Sequence, residues 1–379
     1  MDSLSLLETL VAFDTTARTS NLALIDFVET YLTERGFRVT RVMAPEGDRA
    51  GLYAAIGPEG PGGVMLSAHT DVVPVTGQAW TRPPFQLARE GDRLYGRGTT
   101  DMKGYLAAML ALADKAAGAD LAEPLKLAIS YDEEIGCVGI QQMIDQLEPA
   151  IGLPRVCFVG EPTQMQVTLG HKGKAAFRAI AHGQSGHSAL APQFTNALHL
   201  AGDFLAELRA LQDHYAREGT RDMAYGVPYS TVHVGTLTGG TALNIVPDRA
   251  EMTFEFRHLA ADDPDTLRAQ IHGAAERVSA AYPEGAHIEV AEVNAYPGLD
   301  QAEDAPVATF AKAMAQTNSV TKVAFGTEAG FFEALGIPTV VCGPGSMDGQ
   351  GHKPDEYIEL DQLRACDAML ARVLDSLRA

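Results

Sequence analysis

Cysteine is scarce in this 379-residue chain: there are 4, at Cys137, Cys157, Cys342 and Cys366. They are widely spaced with no Cys-x-x-Cys pair, which argues against a zinc knuckle or a structural bridge and suits buried thiols in a reducing cytosol. None is expected to be catalytic. Positive charge is the second shortage. Lys and Arg number 29 against 49 Asp and Glu, a formal net charge of -20. A field of that sign repels phosphate backbones and anionic bilayers, so neither nucleic acid nor a membrane is expected as a partner. Cations, including metal ions and amines, would be mildly attracted, although a plain acidic surface accounts for most of the charge. Apolar runs of membrane-spanning length are absent too. The first segment, Met1-Asp2-Ser3-Leu4-Ser5-Leu6-Leu7-Glu8, reads as an acidic amphipathic helix without the basic region of a signal peptide, so the expected location is the cytoplasm.

What remains is ordinary for a folded protein, 46% hydrophobic and 21% charged, and long enough for two domains. Residues 4–13 and 22–35 carry apolar side chains at helical spacing, with Leu24, Ile25, Val28 and Leu32 on one face. Strand-like runs follow at 37–42, 52–56 and 64–68, the last two separated by the turn 57–63. Helix 105–117, strand 125–131, helix 138–147 and strand 156–159 then alternate. That alternation predicts an α/β domain whose mixed sheet has helices on both faces.

The pattern changes near Lys172. Residues 175–293 give the order strand, helix, strand, strand, helix, strand, which is the ferredoxin-like α+β unit. Residues 250–258 alternate cleanly, Met252, Phe254 and Phe256 against Glu251, Thr253, Glu255 and Arg257, as in a sheet with one face exposed. Patterns of the first domain return afterwards. The expected organisation is therefore a discontinuous catalytic domain, 1–171 and 295–379, with a dimerisation domain inserted at 172–294.

Chemistry-bearing residues gather at predicted strand ends. His69 closes the apolar run 64–68 in Ser67-Ala68-His69-Thr70-Asp71. On an extended backbone Asp71 shares its face and can accept the second ring N–H, which fixes the tautomer. Asp101 follows the turn Gly96-Arg97-Gly98 and opens a helix, a placement from which a carboxylate can bridge two cations. Singly, each has a plain reading, a surface histidine or a helix N-cap. A dinucleotide loop is excluded because Asp101 stands where a third glycine belongs. Downstream, Asp132-Glu133-Glu134 and Gly160-Glu161-Pro162 place acids at two further strand ends, and Gly351-His352-Lys353-Pro354-Asp355-Glu356 supplies a second histidine. Three adjacent acids repel unless a cation relieves them. His69, Asp101, Glu134, Glu161 and His352 form a two-histidine, three-carboxylate set suited to zinc, cobalt or manganese.

These blocks, 67–74, 96–104, 132–136 and 160–163, resemble the M20 family of co-catalytic zinc amidohydrolases and peptidases, and the resemblance spans essentially the whole chain. It implies two zinc ions, one held by His69 and Glu161, the other by Glu134 and His352, with Asp101 between them. Asp71 would orient His69, and Glu133 would be the general acid and base. It also implies a homodimer in which His187, in Gly183-Gln184-Ser185-Gly186-His187-Ser188, reaches the partner's site as an oxyanion donor.

Amide hydrolysis asks for the same roles: a nucleophile better than water, and an acid free of metal beside a ligand acid. Within the family the chain is most similar to deacetylases of Nα-acetylornithine, through Thr327-Glu328-Ala329. Glu328 would attract the ornithine ammonium and repel the extra carboxylate of succinyl-diaminopimelate. Arg257 is a candidate clamp for the α-carboxylate, with a salt bridge to Glu251 or Glu255 as the alternative. Asn244 is a candidate substrate contact or a turn cap. The expected substrate is a small N-acyl amino acid. The rivals are succinyl-diaminopimelate or another N-acyl amino acid, a dipeptide, and a binding homologue without turnover.

Overall fold

The computed structural model describes residues 1–378. The chain divides into two compact units, one of residues 1–170, 299–322 and 327–379, the other of 171–298 and 323–326. Among the described residues no helix is long and apolar enough to cross a membrane.

The first unit is built on a mixed nine-stranded sheet. Strand Arg38–Met43 pairs antiparallel with Ala50–Ile56, which pairs antiparallel with Leu125–Ser130. Val64–His69 and Val156–Pro162 then continue in parallel, followed by Thr339–Gly343. The parallel centre is covered on both faces, so its strands are wholly buried. Val64, Leu66 and Ala68 enter the main core with side chains of helices Ser3–Val11, Lys103–Ala116 and Leu360–Asp375. The alternate residues, Met65, Ser67 and His69, face the other way.

Several sequence expectations shift. Strand 156–162 is longer than the apolar run suggests, so Glu161 lies within the strand instead of beyond it. The helix expected at 138–147 breaks into Val138–Met143, a 3-10 turn Ile144–Gln146 and Leu147–Ile151. A small sheet of Ala88–Glu90, Arg93–Tyr95 and Tyr357–Glu359 has no period strong enough to be read in three residues.

The second unit carries a four-stranded antiparallel sheet in the order Thr231–Gly239, Arg249–His258, Gly173–His182, His287–Tyr296. Helices Ala197–Glu218 and Pro264–Ala280 share a core with Phe177, Met252, Phe254 and Phe256. Strand 249–258 alternates between buried and more exposed positions as its sequence predicts.

Candidate metal centre

The strand ends of the first unit bring five candidate ligands together. His69 Nδ1 lies 3.0 Å from the backbone oxygen of Asp71 and 3.4 Å from its Oδ1. A carbonyl oxygen only accepts, so Nδ1 carries a proton, and Nε2 is the ring atom turned toward the carboxylates. That Nε2 lies 3.1 Å from Asp101 Oδ1 and 3.6 Å from Glu161 Oε1. The second oxygen of Asp101 is 3.0 Å from His352 Nε2, which is also 2.9 Å from Glu134 Oε2. Asp101 therefore stands between two imidazoles, one oxygen toward each. The side chains of Asp101, Glu134 and Glu161 are buried, whereas His352 is 45% exposed.

Local geometry explains the convergence. Asp132 takes a left-handed conformation (φ 52°) at the end of strand Leu125–Ser130, and Gly136 and Cys137 N–H close the turn on Glu133 O at 2.8 Å. That turn aims two successive N–H groups at Asp71: Glu133 N donates to Oδ1 at 3.0 Å and Glu134 N to Oδ2 at 3.1 Å. The expected partnership of Asp71 with His69 thus runs mainly through the Asp71 backbone oxygen, because its carboxylate is occupied by the glutamate turn. Asp101 precedes helix Lys103–Ala116, whose N-cap is Met102 with no side-chain cap bond, so the carboxylate is not spent on capping. Before Glu161, Gly160 is pressed against Tyr105; a Cβ there would meet the ring at 1.9 Å.

Crowding among the three adjacent acids is partly relieved without a metal. Asp132 pairs with Arg49 and accepts the Arg18 N–H at 2.9 Å. Arg49 lies 83 residues upstream in a polar turn, where sequence spacing gives no warning. Glu133 and Glu134 retain the problem. Burial pushes the Glu134 carboxyl up to about 7, with Asp101 adding to it, and burial raises Glu133 and Glu161 well above the carboxylate range. Burial also opposes ionisation of Asp101, but His352 and His69 outweigh it and hold that carboxyl below its usual value. His352 rises to about 10 through Asp101 and then Glu134. His69 also rises well above its usual value, since its contacts with Asp101 and Asp71 overcome burial.

The centre therefore recruits positive charge. Glu134 Oε1 and Glu161 Oε1 are buried without a hydrogen-bond partner. Ligand atoms of His69, Asp101 and Glu134 lie within 4.8 Å of one another, as do those of His69, Glu133 and Glu161. Orphaned carboxylate oxygens beside imidazole nitrogens fit divalent cations of the zinc, cobalt or manganese type. Glu133 stands as close to His69 and Glu161 as a ligand acid would.

Glu328 is buried at the N-cap of helix Ala329–Ala334 without capping it. Its Oε2 lies 3.5 Å from Ser67 Oγ on the His69 strand, Oε1 has no partner, and burial lifts the carboxyl to about 7. Sequence reasoning overlooked a second buried acid, Glu356, which accepts from Arg97 at 2.7 Å and from Asp101 N at 3.1 Å. Its only signal was its position four residues after His352.

The remaining candidates belong to the second unit. His187, on the two-residue strand Gly186–His187, is paired with Ile245, and Ser188 N donates to Asn244 O at 3.1 Å, so His187 and Asn244 are neighbours on exposed loops. A cleft of about 410 Å³ adjoins them, bordered by Ser185, Thr241, Val246 and Arg249. Arg257 forms the salt bridge that was its alternative: Nε lies 2.9 Å from Glu255 Oε1, and Nη1 is 3.5 Å from Tyr296 OH.

Residues 65–376 match peptidase family M20/M25/M40. The acetylornithine deacetylase of Myxococcus xanthus is 32% identical over 370 residues, covering 96% of this chain and 94% of that protein. The acetylornithine deacetylase of Yersinia pestis is 32% identical over 373 residues, covering 96% and 93%. Among solved structures, an M20 family metallo-carboxypeptidase from Sulfolobus solfataricus superposes with a TM-score of 0.79 at 21% identity, over 99% of both chains. A dinuclear metal-binding M20 peptidase from Bacillus subtilis gives 0.67 at 16% identity, over 99% of this chain and 97% of that one.

Proposed function

The chain belongs to peptidase family M20/M25/M40, a family of hydrolases, and on that premise we propose that it is a metal-dependent deacylase of N-acyl amino acids, with Nα-acetylornithine as substrate. The observation that carries the reading is the placement of Asp101, one oxygen 3.1 Å from His69 and the other 3.0 Å from His352. His69 and Glu161 would hold one divalent ion, zinc first among the candidates, Glu134 and His352 a second, and Asp101 both. Ions bound there would supply Lewis acidity, which lowers the pKa of water from about 15.7 toward roughly 7.

The protein's own groups do the rest. Asp71 keeps the His69 proton on Nδ1, so Nε2 stays available. Glu133, held by its peptide N–H on Asp71 Oδ1, takes a proton from the attacking water and returns it to the departing amine. His187 of a partner subunit would donate to the oxyanion in a homodimer joined through residues 172–294, while Asn244 would contact the substrate and Arg257 its α-carboxylate. To do so Arg257 must exchange its bond to Glu255 for the substrate. Glu328 would read the side-chain ammonium, directly or through water. The deacetylase relatives support the acetyl-ornithine choice.

The test is hydrolysis by zinc-loaded protein of a panel: Nα-acetylornithine, other N-acetyl amino acids, N-succinyl-diaminopimelate and a dipeptide. Highest kcat/KM for Nα-acetylornithine is expected. Preference for another member reassigns the substrate, and no turnover of any would make the chain a binding homologue.

A further inference from the structure

Glu356 is 1% exposed and Arg97 0%, and neither has a role in the reaction described above. The Glu356 carboxylate is saturated by a single loop. Its Oε1 accepts Thr100 N–H at 2.9 Å and Asp101 N–H at 3.1 Å; its Oε2 accepts Gly98 N–H at 3.1 Å and Arg97 Nη1 at 2.7 Å. The Glu356 backbone oxygen adds Gly96 N–H at 2.9 Å. Glu356 also ends the loop of His352, and Arg97 binds that loop again through Lys353 O at 3.4 Å. Gln78, which Arg97 also contacts, donates to His352 O at 3.1 Å.

We propose that Glu356, with Arg97, is a positioning residue that fixes Asp101 relative to His352 and so sets whether both metal positions can be filled together. The proposal rests on the reading of Asp101 and His352 as ligands. Holding a loop closed does not require a buried ion pair, since packed apolar groups of similar volume do so at less electrostatic cost. What the pair adds is register. Glu356 holds the peptide N–H of Asp101 itself, and four donors on one carboxylate leave it no freedom to shift. Gln cannot replace it. With its oxygen toward Thr100 and Asp101, its NH₂ would face the Gly98 and Arg97 donors; turned over, it would face the other two.

The experiment titrates apoprotein with Co²⁺, followed by d–d absorption, beside the melting temperature of each apoprotein. Wild type is expected to take two ions. Glu356→Gln should weaken uptake of the second at least about tenfold, as loss of such an orienting partner does elsewhere. Glu356→Asp, which keeps the charge, should recover part of that loss. Val373→Ala, in the core helix Leu360–Asp375, is the control for stability alone and should keep both affinities. Two ions at wild-type affinity in Glu356→Gln would overturn the proposal, as would a loss no greater than that of Val373→Ala at matched melting temperature. If Glu356→Gln does not fold, Arg97→Lys is read in its place: it should weaken the second ion, and unchanged affinity counts against the proposal. Failure of the ligand reading is separately visible, because Asp101→Asn would then bind Co²⁺ like wild type.

Discussion

Asp71 grips Glu133 by the backbone: Glu133 N–H donates to Asp71 Oδ1 at 3.0 Å, while the Glu133 side chain accepts from the Cys137 thiol at 3.3 Å. The other oxygen holds Glu134 N–H at 3.1 Å, so one carboxylate fixes the turn that presents both glutamates. That turn starts from a left-handed residue, Asp132, and brings Glu133 into a group with His69 and Glu161, and Glu134 into one with His69 and Asp101. Adjacent acids in sequence can then take different chemical roles.

Asp101→Asn is expected to abolish activity and to lower bound metal. The substitution preserves shape but removes the one negative charge shared by His69 and His352, leaving two cations with less to offset their repulsion. Elemental analysis after dialysis checks it. Two ions and full activity in the variant would remove Asp101 from the centre.

Glu133→Gln is expected to keep its metal and to lose about 10²- to 10⁴-fold in kcat, since proton transfer is lost while the other donors stay. The close approach of Glu133 to His69 and Glu161 makes metal analysis the decisive half of this measurement. Metal loss with Glu133→Gln but not with Glu134→Gln would exchange the two roles.

Much of this centre is legible in the sequence because strands of a parallel sheet end on one edge, and an acid or histidine after an apolar run marks that edge. His69 and Glu134 follow that rule. Glu161 lies inside its strand, so the apolar run stops short of the backbone pairing. What sequence could not supply are the partners that complete the charges. Arg49 meets Asp132 across 83 residues, and Arg97 meets Glu356 across 259. Such pairs carry no periodicity and are set by the tertiary fold. The salt bridge of Arg257 was readable because Glu255 is two residues away on the same strand face.

Glu328 should give the apoprotein a characteristic pH dependence. Its carboxyl is raised from 4.5 to about 7 by burial, so between those values the folded state binds more protons than the unfolded one. The resulting stabilisation is complete below pH 4.5 and is lost as pH rises through about 7. Glu328→Gln has no such loss. The stability of wild type minus that of Glu328→Gln should therefore fall by a few kcal/mol between acid and mildly alkaline pH, each pH unit between the two values being worth about 1.4 kcal/mol. Denaturant unfolding of the two apoproteins across that range checks it; a constant difference would mean the carboxyl titrates normally.

His187 acting across a homodimer predicts complementation. His187→Ala and Glu133→Gln proteins, each nearly inactive, should regain partial activity when mixed under conditions that let subunits exchange, because one site in the mixed dimer then has both groups. Sedimentation of wild type supplies the companion measurement. A fully active monomer would defeat the assignment.

Substrate choice is expected to turn on Glu328. It is buried against Ser67 with one oxygen unpartnered, and a carboxyl lifted to about 7 ionises readily if a cation arrives beside it. A substrate ammonium would provide that cation, whereas an added carboxylate would meet repulsion in a dry environment. Removing the charge should therefore cost the charged substrate more than a neutral one. In Glu328→Gln, kcat/KM for Nα-acetylornithine should fall at least about tenfold relative to that for Nα-acetylnorvaline, the size of an incompletely desolvated charge-assisted hydrogen bond. An equal fall for both would mean that Glu328 supports the His69 strand through Ser67 and does not read the amine, and the choice among N-acyl amino acids would be open again.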